Sequence, residues 1–129
     1  MIKHYGTQET GKHPSEAAEM TTFFGQLKKL HPEIHPIALH IRNEHGGNGS
    51  QIGTAKMQGG FIKGAPDIAI MGSPTFLCEM KSRDKKSKVR PEQMKFLENA
   101  DKQGAFCCVA YGYLAALQAV EEWIKETPQ

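Results

Sequence analysis

The chain has 129 residues, enough for one domain of ordinary size and a sizeable core without disulfide or metal staples. Apolar residues make up 39% and charged residues 23%, a globular composition and not a disordered or fibrous one. The formal net charge of +2 excludes a histone-like basic protein, while leaving room for a local cationic surface. No apolar run approaches the ~20 residues of a membrane helix, and Met1-Ile2-Lys3-His4 leads into no secretory h-region, so a cytoplasmic protein is expected. The three cysteines, two of them adjacent (Cys107 and Cys108), read as reduced thiols; without a CxxC pair, a zinc site with Cys78 has little support.

Positions 1–13 read as a polar lead, loosely attached, ahead of a single domain at 14–129. A helix follows, with Ser15 as N-cap and Glu16 and Glu19 in its first turn. Met20, Phe23, Leu27 and Leu30 follow at helical spacing, and Glu16 continues that stripe towards the N-terminus. His31-Pro32 stops the helix. Ile37 to Ile41 is a short apolar run of strand length. Positions 43–60 carry six glycines, a loop of the length usually found at functional sites or in disordered segments.

Two strands are predicted at 68–71 and 75–81 around the turn Gly72-Ser73-Pro74. Centring the turn on Ser73 sets Met71 opposite Thr75 and, by extension, Asp67 opposite Glu79. Pro91 suits the first turn of a second helix, carried by Met94, Phe96, Leu97 and Ala100 and ended by Gly104. Residues 105–111 form an apolar strand. Gly112 opens a third helix, with Leu114, Leu117, Val120, Trp123 and Ile124 as its stripe. The predicted order is αβββαβα, an α/β fold with a mixed four-stranded sheet flanked by helices.

The chemistry concentrates on the hairpin. Glu79 and Lys81 are two apart in a strand and share a face, and Asp67 lies across from Glu79. Two close carboxylates repel, and a hard divalent cation relieves that repulsion with oxygen ligands. A lysine beside them suits phosphodiester hydrolysis. Glu79-x-Lys81 alone is an ordinary cross-strand salt bridge in most strands; the aspartate at the paired position, preceded by Gly64-x-Pro66, makes the set specific. Gln93 shares a helix face with Phe96, Leu97 and Ala100, so this amide points inward and needs a partner. It serves either as a cap or as an orienting group for Lys81 or the attacking water. Glu16 serves either as a helix-dipole acid or as a carboxylate that reaches the site.

Between positions 81 and 90, six basic residues (Lys81, Arg83, Lys85, Lys86, Lys88 and Arg90) face one acid, Asp84. Beside a metal site this loop reads as a phosphate-binding rim whose affinity falls with salt. Lys63, Arg42 and Asn43 are further candidate backbone contacts. Nothing reads as base-specific, so selectivity for DNA structure is expected over sequence.

Gly64-Ala65-Pro66-Asp67, Glu79-Met80-Lys81 and Gln93, in this order of elements, resemble the PD-(D/E)XK nuclease superfamily. Within it the chain is most similar to the virus-type replication-repair nuclease (VRR-NUC) domain. Glu16, His40-Ile41-Arg42-Asn43 and Pro91-Glu92-Gln93 extend the likeness over most of the chain. Two positions depart from the pattern: Met20 stands where a glutamine is frequent, and Met80 where a branched aliphatic is common. The resemblance implies that Asp67, Glu79 and the Met80 carbonyl hold Mg²⁺ or Mn²⁺, with Glu16 reaching the ion through water. It implies that Lys81 positions or deprotonates water and that Gln93 supports it. It further implies a stand-alone bacteriophage-type DNA endonuclease that acts as a homodimer on branched DNA such as four-way (Holliday) junctions. The alternative is a nucleic-acid-binding module on a nuclease-like fold without catalysis; a phage assembly protein with plain salt bridges is a third class.

Overall fold

Ser15 starts α1 (Glu16–Leu30) as the sequence predicts: its side chain accepts the Ala18 N–H at 3.1 Å, and His31 closes the helix. The computed structural model describes residues 1–41, 57–59 and 62–127. Pro36 sets a 3-10 turn at His35–Ile37, which trims the expected strand to β2 (Ala38–His40). Then come β3 (Ile68–Ile70), β4 (Phe76–Lys81), α2 (Pro91–Lys102), β5 (Phe106–Tyr111) and α3 (Tyr113–Glu126). Most of the Gly-rich stretch, at positions 42–56 and 60, lies outside the described residues, and Arg42 and Asn43 lie there with it.

Among the described residues the sheet has five strands, not four. Lys3–Tyr5, expected as part of a loose polar lead, forms β1 and pairs in parallel with β5, Lys3 opposite Cys108 and Tyr5 opposite Ala110. Tyr5 is buried and donates to Glu122 Oε2 on α3 at 2.6 Å; Lys3 pairs with the same carboxylate. A three-residue strand is too short to show a period in sequence, and a single buried side chain with two α3 contacts fixes it. The strand order is β1-β5-β4-β3-β2, antiparallel through β2-β3-β4 and parallel through β4-β5-β1.

Helices cover both faces. On one side, Met20, Phe23 and Leu27 of α1 and Ala116, Val120 and Trp123 of α3 pack on Phe76, Cys78, Met80, Cys108 and Ala110. On the other, Leu97 of α2 packs on Cys107 and Val109, with Leu77, Met94 and Tyr111 around them. Alternation along β4 therefore sends Phe76, Cys78 and Met80 to the α1/α3 face and Leu77, Glu79 and Lys81 to the α2 face. No helix among the described residues is long and apolar enough to cross a membrane.

Candidate active site

The hairpin register is the one the turn predicts. Ile68 faces Cys78, Ala69 faces Leu77 and Ile70 faces Phe76, which carried one pair further sets Asp67 opposite Glu79. Ala69 and Leu77 lie on the α2 face, so Asp67 and Glu79 both emerge there. The Asp67 carboxylate also reaches the β4 backbone: Oδ2 accepts the Met80 N–H at 2.9 Å. A strand residue projects its N–H and C=O to the same edge, so the Met80 carbonyl faces the Asp67 side as well.

Glu79 is 1% exposed and Lys81 4% exposed, with Lys81 Nζ 3.7 Å from Glu79 Oε1. Gln93 comes in from the first turn of α2. Its Oε1 accepts the Arg90 N–H at 2.9 Å, and its Nε2 donates to Glu79 Oε1 at 2.8 Å. One amide thus caps the helix and orients a carboxylate. The group it grips is Glu79, the neighbour of Lys81, and not Lys81 itself. Gly64 allows this docking. Its φ is +94°, and an added Cβ would stand 2.5 Å from the Glu92 carbonyl oxygen. The Gly-x-Pro-Asp run therefore clamps the start of α2 against the strand end that carries Asp67.

Burial pushes the Glu79 carboxyl from its ordinary 4.5 up to about 9, and the neighbouring Asp67 charge adds to the rise. Lys81 pulls in the opposite direction without offsetting them. Asp67 is raised too, chiefly by burial. At neutral pH the pair holds a proton. Glu79 Oε2 is buried and receives no hydrogen bond from an N–H or O–H donor among the described residues, and the proton that the pair holds links Glu79 to Asp67. Two buried carboxyl groups that share a proton, with a carbonyl on the same side, are a set of hard oxygen donors that a divalent cation fits once it displaces that proton. Among the described residues no three Asp, Glu, His or Cys side chains converge on one point, so these residues offer two carboxylates and a carbonyl. Cys78 and Cys108 face each other across β4 and β5 inside the apolar core.

Of the two acids in α1, Glu16 was expected on the buried stripe. It is exposed, and Glu19 is buried instead, at 3% exposure. Glu19 lies four residues before Phe23 and eight before Leu27, a spacing that fits the stripe as well as that of Glu16. Its carboxylate accepts the Tyr113 N–H at 3.2 Å and lies 3.7 Å from Arg83 Nε, capping the positive end of α3. Gly112, at φ +90°, makes room, since a Cβ there would stand 2.4 Å from Glu19 Oε2. Glu19 is thus a structural acid that the helical stripe alone does not single out. Glu16 accepts the Ser87 hydroxyl at 3.0 Å, and its negative charge is felt at both Asp67 and Glu79.

Arg83, Lys85, Lys86, Lys88 and Arg90 are all exposed beside this site. Arg90 lies 3.9 Å from Glu92, as does Lys63. Lys85, Lys86 and Lys88 form no ion pair among the described residues.

The sequence matches no family model and no curated protein. The structure is similar to that of a solved "VRR_NUC domain protein", with a TM-score of 0.70 and 21% identity over 88% of this chain and 91% of the other. The architecture is thus that of an α/β domain sharing the fold of that solved structure. In particular, it is the VRR-NUC fold expected from the Gly-x-Pro-Asp, Glu-x-Lys and Gln93 pattern.

Proposed function

We propose that the protein is a DNA endonuclease of the PD-(D/E)XK superfamily that depends on Mg²⁺ or Mn²⁺. The observation that carries this reading is the buried pair Asp67 and Glu79, with a Glu79 oxygen that receives no N–H or O–H donor among the described residues and with the Lys81 side chain alongside. Asp67, Glu79 and the Met80 carbonyl would hold the cation, with Glu16 reaching it through water. When bound, the cation supplies Lewis-acid stabilisation of a phosphate oxygen and activation of a nucleophile.

The chain's own residues do the rest. Gln93 fixes the Glu79 carboxylate through Oε1 and leaves Oε2 for the cation. As an ammonium, Lys81 holds a positive charge next to the developing negative charge and positions the attacking water; as a neutral amine it would instead take a proton from that water. The exposed cations of positions 83–90, with Lys63, Arg42 and Asn43, would contact the DNA backbone. The absence of a base-reading motif favours selection by DNA shape, with four-way junctions or other branches as substrates in viral replication, recombination or repair. A homodimer in the host-cell cytoplasm suits a substrate with two equivalent strands.

The test is cleavage of labelled four-way, forked and linear DNA by the purified protein in Mg²⁺ and in Mn²⁺. Metal-dependent nicking of the branched substrates is the expected result. Binding without nicking in either metal would replace this reading with a non-catalytic nucleic-acid-binding module.

A further inference from the structure

The chain between β1 and α1 is tied to the cationic loop. Gln8 Nε2 stands 3.1 Å from the Ser82 carbonyl, 3.0 Å from that of Asp84 and 2.5 Å from that of Ser87. Two N–H groups thus serve three acceptors. Next to it, the Glu9 N–H donates to the Arg83 carbonyl at 2.8 Å, and Glu9 forms a parallel bridge with Asp84. Further along, the Pro14 carbonyl accepts the Ser82 hydroxyl at 3.3 Å, and Glu16 accepts that of Ser87. From Gln8 to Glu16 one strap holds the loop at several points.

What the strap holds is a self-repelling set of charges. Lys85, Lys86 and Lys88 are exposed and have no anionic partner among the described residues. Their mutual repulsion favours spreading the loop apart. Binding the loop's carbonyls inward on one amide opposes that spreading and leaves the ammonium groups outside. A polyanion then meets an array that is already ordered, and does not have to order it on contact.

We propose that Gln8 is a positioning residue for recognition of the nucleic-acid backbone. Through its amide it holds the loop at positions 82–87 so that Lys85, Lys86 and Lys88 present a fixed phosphate-binding rim. The proposal rests on the nuclease reading for the identity of the polyanion.

The experiment measures binding of a labelled forked DNA to the full chain without divalent metal, from low to moderate salt. Wild type, Gln8→Leu, Lys86→Gln and the double variant are compared. Gln8→Leu is expected to weaken binding on the order of tenfold and to flatten the salt dependence by about one phosphate contact. Lys86→Gln should cost less in the Gln8→Leu background than in wild type, because the two act on one array. In cleavage assays KM should rise while kcat holds. Strictly additive penalties, or unchanged affinity and salt slope, would overturn the proposal while leaving the nuclease reading intact. A wild-type protein that neither binds nor cuts DNA removes both. Should Gln8→Leu fail to fold, hydrogen exchange on wild type decides: a protected Glu9 amide supports the strap, and exchange at open-chain rates refutes it.

Discussion

Gln93 donates to one oxygen of Glu79 and leaves the other without an N–H donor among the described residues, facing the Asp67 carboxyl group. The same amide accepts the Arg90 N–H, so the cap of α2 and the orientation of the carboxylate are one interaction. Replacing Gln93 by leucine keeps the bulk and leaves a buried acceptor and a backbone donor without partners. A loss of about 1–3 kcal/mol in urea unfolding is expected. A loss no larger than that of an exposed α2 substitution would mean the hydrogen bonds carry no weight.

Lys81→Met keeps the buried methylenes and removes the ammonium. Cleavage should fall by on the order of 10²–10³-fold, the range seen when one charge-stabilising group is removed. DNA affinity in chelator should stay near wild type. Full activity in Lys81→Met would end the assignment.

The raised Glu79 pKa makes a prediction about stability. The folded protein holds a proton between pH 4.5 and about 9 that the unfolded chain has released. Without metal, stability should therefore fall as pH rises through that window and level off above it. Asp67, also raised, contributes with the same sign. Thermal melting in chelator across this range should show the decline, and Glu79→Gln should flatten it. Mn²⁺ should raise Tm most at the alkaline end, where it competes with fewer protons. A wild-type melting point that is flat with pH is incompatible with the buried pair.

The two acids of α1 should separate cleanly. Glu19→Ala removes the carboxylate at the N-terminus of α3 and should cost about 1–2 kcal/mol of stability. Glu16→Gln should change stability by less than about 0.5 kcal/mol and lower cleavage by roughly 10–100-fold. Paired melting and cleavage assays check this; the opposite pattern would exchange the two roles.

The hairpin was legible because Gly72-Ser73-Pro74 leaves few ways to turn, and a strand period of two then carries Asp67 to Glu79 without further information. Gln93 was legible from its place on an apolar helix face. The burial expected of Glu16 fell to Glu19 because either acid fits a helical stripe, and the deciding partners, Tyr113 and Gly112, lie more than 90 residues away in sequence. β1 and the Gln8 strap were invisible for the same reason. A three-residue strand and a lone glutamine carry no periodic signal, and what fixes them sits at positions 82–87 and 106–111.

The pairing of β1 with β5 also orders events during synthesis. Lys3–Tyr5 is made before the other strands of the sheet, and its partner, Phe106–Tyr111, follows about 100 codons later. At synthesis rates of roughly 5–20 residues per second, the leading segment waits several seconds for its neighbour. The β2-β3-β4 meander can assemble in that interval, so the two halves of the sheet close in the reverse of their reading order. The Gln8 strap, anchored beyond β1, is then among the last pieces to seat.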